Sequence, residues 1–70
     1  MSRAEFEELG TEEVIKYLAT LKVVLDSDEQ AIFRKNKIDG DGLTELKIVD
    51  LERNGIPSGV AAKIMKKIPQ

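Results

Sequence analysis

The chain has 70 residues, a formal net charge of −2, and neither cysteine nor histidine. That length suits one small domain with one core, and the missing residue types exclude disulfides, thiolate metal sites and the usual proton shuttle near neutral pH. Hydrophobic residues at 41% and charged residues at 34% supply a core and separate the chain from disordered sequences.

Catalysis would have to rest on Asp, Glu, Lys, Tyr, Ser or Thr alone, so neither an enzymatic role nor a cofactor is expected. No apolar run approaches the roughly 20 residues of a membrane span. The start MSRAEFEELG has no long apolar stretch of the secretory type. The expected setting is intracellular and cytoplasmic, with no membrane partner.

Met1 to Gly10 reads as a frayed lead-in that tucks Phe6 or Leu9 onto the core. A first helix is predicted over Thr11–Thr20. Thr11 is placed to cap it, and Glu12 and Glu13 fall in the first turn, where the helix dipole favours anions. Val14, Leu18 and Leu21 share a face at helical spacing, with Ile15 beside them. LKVVLD then breaks that face and reads as a connection packed on the core.

A second helix is predicted from Ser27, where SDEQ has the form of a capping box between Ser27 and Gln30. Ile32 and Phe33 would face inward, with Arg34, Lys35 and Lys37 at the negative end. NKIDGDG is a turn by composition. Leu43 and Leu46 predict a short third helix. KIVDLERNG predicts a fourth, with Ile48 and Leu51 inward and Gly55 ending it in a left-handed conformation. Pro57 suits the start of the last helix, whose apolar stripe is Ala61, Ile64, Met65 and Ile68 with Lys63, Lys66 and Lys67 off it. No segment alternates long enough for a strand. The expected fold is therefore all-α, a compact five-helix bundle with a longer C-terminal helix.

The run IDGDGLTEL imitates a calcium loop. An EF-hand needs oxygen ligands at its first, third, fifth and twelfth positions, with glycine at the sixth. With Gly42 at the sixth, Asp39 and Asp41 fall correctly, but Lys37 takes the first position and Ile48 the twelfth. No metal is expected. A turn whose aspartates cap the next short helix explains the pattern. LERNGIPSGVAAKI partly resembles a helix-hairpin-helix, but Pro57 removes an amide donor where that motif wants glycine. The basic surface is thin, which disfavours nucleic acid.

The ordered features resemble a SAM (sterile alpha motif) domain from Leu9 to Ile68. TEEVIKYLATL is similar to that family's first helix, with Tyr17 at the place of its usual tryptophan. IFRKNKIDGDGLTEL carries the family's F..N.IDG..L..L signature. KIVDLERNGI resembles its T..DL..LGI segment, and PSGVAAKIMKKI its last helix. There are departures: Leu9 stands where many members have tryptophan, Lys47 replaces a Thr or Ser cap, and Asn54 replaces a common leucine. Val60, Ala61 and Ala62 occupy a stretch where many members carry basic residues. The resemblance sets residues 1–8 apart as an N-terminal lead-in and 9–70 as the SAM-like domain. It implies a core of Phe33, Ile38, Leu43, Leu46, Leu51, Ile56, Ile64 and Ile68. It also makes Gly40, Gly55 and Gly59 backbone necessities.

The resemblance further implies a protein-interaction module. A mid-loop surface made by the middle helices meets the start of the last helix of another SAM domain, in the same or a different protein. From Asp39 to Glu52 there are five acids, Asp39, Asp41, Glu45, Asp50 and Glu52, against one base, Lys47; from Gly59 onward there are three lysines and no acid. This asymmetry suits a head-to-tail contact, which makes a filament if its rotation does not close. The implied mid-loop residues are those five acids. The implied end-helix residues are Asn54, Ser58, Gly59, Val60, Ala61 and Lys63. The alternative is RNA-hairpin binding through Lys63, Lys66 and Lys67.

Overall fold

The computed structural model describes residues 1–69. Its elements are α1 (Arg3–Glu7), α2 (Thr11–Thr20), α3 (Ser27–Lys35), α4 (Gly40–Glu45), α5 (Ile48–Arg53) and α6 (Ser58–Lys67). Among the described residues there is no strand, so the all-α class holds, but the helices number six rather than five. The last helix is not the longest either, since α2 and α6 both have 10 residues.

The added helix, α1, lies in the segment expected as a lead-in. It starts with a full capping box. The Ser2 hydroxyl accepts from the Glu5 amide at 3.2 Å, and Glu5 Oε1 accepts from the Ser2 amide at 3.0 Å. Those bonds hold the Glu5 carboxyl below its ordinary pKa, the backbone amide of Ser2 being the larger cause and its hydroxyl the next. Five residues are too few to hold a helix by themselves. Burial of Phe6, which has no exposed surface, supplies what hydrogen bonding cannot. Its ring stacks at a tilt against Tyr17, centroids 5.7 Å apart.

α1 is locked to α4 at Gly40. The Gly40 amide donates to the Leu9 carbonyl at 2.9 Å. A Cβ on Gly40 would lie 1.8 Å from the Phe6 carbonyl oxygen. Glycine is needed here for close approach of two backbones, not for a special φ. Across the same junction the Thr44 hydroxyl, which donates to the Asp41 carbonyl at 2.7 Å, lies 3.5 Å from Glu7 Oε2, and Arg3 pairs with that oxygen at 3.2 Å.

α2 and α3 begin at Thr11 and Ser27 as expected, but their caps lie one residue earlier. Gly10, not Thr11, is the N-cap of α2, and Glu13 Oε1 accepts its amide at 2.9 Å. For α3 the box is Asp26 with Glu29, not Ser27 with Gln30. Asp26 Oδ1 accepts from the Glu29 amide at 2.8 Å, and Glu29 Oε1 accepts from the Asp26 amide at 2.9 Å. DSDE and SDEQ both fit the pattern; the carboxylate makes the stronger, charge-assisted bonds. Gln30 instead donates to the Leu25 carbonyl at 2.9 Å.

Three helices end in the same way. At the ends of α2, α3 and α5 the residues Lys22, Lys37 and Gly55 have φ of 66°, 52° and 103°. The following amide then reaches back five residues: Val23 to Leu18 and Ile38 to Phe33 at 2.9 Å, Ile56 to Leu51 at 3.0 Å. This is the Schellman arrangement with its apolar contact, since all six of those side chains are buried. The core they belong to also takes in Phe6, Val14, Ile15, Leu25, Leu43, Ala61, Ile64 and Ile68. Leu46 packs against this core without being buried in it, and Leu21 is half-exposed.

Candidate functional site

The acids expected on the middle helices divide into two kinds. Asp39 caps α4, its Oδ1 accepting the Gly42 amide at 2.7 Å. Asp50 accepts the Lys47 amide at 2.9 Å and lies 3.9 Å from an Arg53 nitrogen. Both are half-buried and hold their own helices. Asp41, Glu45 and Glu52 are exposed, with no ion pair to them among the described residues. The free negative charge of this surface therefore comes from three carboxylates rather than five. Among the described residues no group of acids is arranged to hold a metal ion.

The same segment exposes apolar surface that sequence reasoning placed inside. Ile48 was expected to face inward, yet it is 42% exposed, and Val49 is 47% exposed. Leu51 is fully buried and is the only buried residue of α5, while Ile56 fills the core just beyond it. At 3.6 residues per turn Val49 lies nearly opposite Leu51, whereas Ile48 lies about 60° from it, so the helix period accounts for the exposure of Val49 but not for that of Ile48.

The start of α6 is unlike the other five. Its N-cap is Pro57, with no side-chain hydrogen bond and no acid in the first turn. Every other helix has a side chain on its first amides or an acid bonded to its N-cap amide. Ser58 and Gly59 are exposed, and Val60 is half-buried against the core edge. Nothing lies within 4 Å of a Cβ built on Gly59, so the fold does not require glycine there. Ala61, expected at the surface of contact, is fully buried. Asn54 is half-buried and donates through Nδ2 to the Asp50 carbonyl at 2.9 Å, which ties it to its own helix. Lys63, Lys66 and Lys67 are exposed.

Away from both places, Arg34 grips Glu12 with two hydrogen bonds of 2.7 and 2.9 Å, joining α3 to α2. The Arg34 guanidinium holds the Glu12 carboxyl below its ordinary pKa, and the carboxylate raises that of Arg34.

The whole chain, residues 1–70, matches the family described as SAM-like domain. The chain belongs to that family. No significant match is found among curated proteins or among solved structures. The match includes residues 1–8, and so takes in the α1 helix of this SAM-like domain. Among the described residues of the domain, no helix is long and apolar enough to cross a membrane.

Proposed function

We propose that this SAM-like domain is a protein-interaction module, not an enzyme. It joins a SAM domain of the same or another chain and so oligomerises or scaffolds the protein that carries it. The observation that carries the reading is the contrast between the starts of α4 and α5 and that of α6. An aspartate accepts a first-turn amide in α4 and the N-cap amide in α5, while α6 begins with neither. An uncapped start carries partial positive charge and amides that suit a carboxylate. Asp41, Glu45 and Glu52 are the exposed carboxylates available to offer one. Lys63 extends the positive side. An exposed charge pair contributes only about 0–1 kcal/mol, so apolar contact at Val60 has to share the work.

Sedimentation across micromolar to millimolar concentration tests this, with other SAM domains as partners where the chain alone stays monomeric. Association that falls on Glu45→Lys/Glu52→Lys is the expected result. A chain that stays monomeric and binds no SAM domain overturns the proposal. The three exposed lysines of α6 favour one competing outcome. An RNA hairpin shifted in a gel with steep salt dependence, and released on replacing Lys63, Lys66 and Lys67, would reassign the domain to nucleic acid.

A further inference from the structure

The chain has two asparagines, and both end helices. Asn36 is the C-cap of α3 at φ −94° and ψ 4°, and Asn54 is the C-cap of α5 at φ −81° and ψ −4°. Each donates through Nδ2 to the carbonyl four residues back, Ile32 or Asp50, at 2.9 Å. Each is followed by a residue of positive φ. That residue is where they differ, since Lys37 follows Asn36 and Gly55 follows Asn54. Without a side chain the Gly55 nitrogen is unshielded, and Gly55 is exposed to water.

We infer that Asn54 is a site of spontaneous deamidation, gated by opening of the end of α5, and that Asn36 is spared. The modification requires no partner, so it stands apart from the proposed function. The Gly55 nitrogen, its proton passed to solvent, bonds to Cγ of Asn54. The bond from Cγ to Nδ2 breaks, and Nδ2 takes up a proton and leaves as ammonia. One water then opens the cyclic imide, at Cγ to give aspartate or at the main-chain carbonyl to give isoaspartate. In the folded domain this is held back. At ψ −4° the Gly55 nitrogen is turned away from Cβ of Asn54, so the ring cannot close. The Gly55 N–H donates to the Glu52 carbonyl at 3.0 Å, and the Asn54 side-chain amide is occupied at Asp50. Opening of the last turn of α5 releases all of this, and helix ends open at far lower cost than a core. Asp39 and Asp41 also precede glycines, but a carboxylate is a poor target for a nucleophile, and both glycine amides are held, to Leu9 and to Asp39. The product cannot restore the turn. Aspartate has no Nδ2 to donate and sets an anion at the negative end of α5. Arg53 is exposed and turned toward Asp50, so it offsets little of that charge. Isoaspartate adds a carbon to the main chain and displaces the Ile56 amide from the Leu51 carbonyl, a bond of 3.0 Å. Either product loosens the turn between α5 and α6 irreversibly.

Peptide mass spectrometry tests this on two samples held at the same mildly alkaline pH, one folded and one unfolded in urea. In urea Asn54 should convert at least about tenfold faster than in the fold, because opening no longer limits the reaction. Aspartate and isoaspartate at position 54 are the expected products, with Asn36 intact in both samples while Asn54 reacts. Equal rates at Asn54 in the two samples overturn the gating. No conversion of Asn54 in urea, or conversion of Asn36 at the same rate, overturns the site itself. Asn54→Asp reproduces one product, and its denaturant midpoint should lie below that of wild type. An unchanged midpoint overturns the loosening of the turn by that product.

Discussion

Two glycines near helix starts make opposite demands. Gly40 begins α4, and a Cβ there would sit 1.8 Å from the Phe6 carbonyl oxygen. Gly59 is the second residue of α6, and a Cβ there would meet nothing within 4 Å. The first glycine is explained by the fold, because α1 and α4 bring their backbones together. The second is not explained by anything inside the chain. The same residue type thus separates a contact already made from a surface left open. The aspartates divide in the same way: Asp39 and Asp50 hold helix starts, whereas Asp41 is free.

Substitution can break this comparison at several points. Gly40→Ala has the largest expected effect. Backbone must move to admit the methyl group, so stability should fall by about 3 kcal/mol or more, read as a lowered denaturant midpoint. A midpoint unchanged from wild type would mean that α1 does not lie against α4. Asp39→Ala comes next. Loss of the α4 cap should cost about 1 kcal/mol of stability. Association, measured where the variant is fully folded, should hardly change. A variant of normal stability that fails to associate would return Asp39 to the interface. Gly59→Ala has the smallest effect and the opposite sign. Alanine should stabilise the isolated domain by up to about 1 kcal/mol, because helix formation costs alanine less entropy. It should also weaken association, since a methyl group then stands on the approach to α6. Unchanged association would show that the space above Gly59 stays open to water in the assembly.

Much of the fold was legible from local pattern. The limits of α2 agree with those drawn from its apolar spacing, and Gly55 does take positive φ. Seven of the eight residues implied as core are buried, with Leu46 at its edge. α1 was missed although SRAE carries a capping-box signal. Five residues are a weak helix signal, and what secures this one is a contact with Gly40 far along the chain. Ile48 was misplaced because spacing alone puts it near the face of Leu51, yet it is the first residue of a six-residue helix and stays 42% exposed. The candidate surface was legible in its charge and not in its chemistry. Composition counts an aspartate that caps a helix and one that faces solvent as the same residue.

The repeated helix ends bear on how the chain finds its structure. Each Schellman turn brings two core side chains, five positions apart, together without waiting for distant parts of the sequence. Leu18 with Val23, Phe33 with Ile38 and Leu51 with Ile56 are three fragments of core that local chain can assemble. Such short loops close at small entropic cost, and a core with many local contacts has low contact order. The domain is therefore expected to fold rapidly. The junction of α1 with α4 spans about thirty residues of chain, so it belongs to the later, slower part of the search.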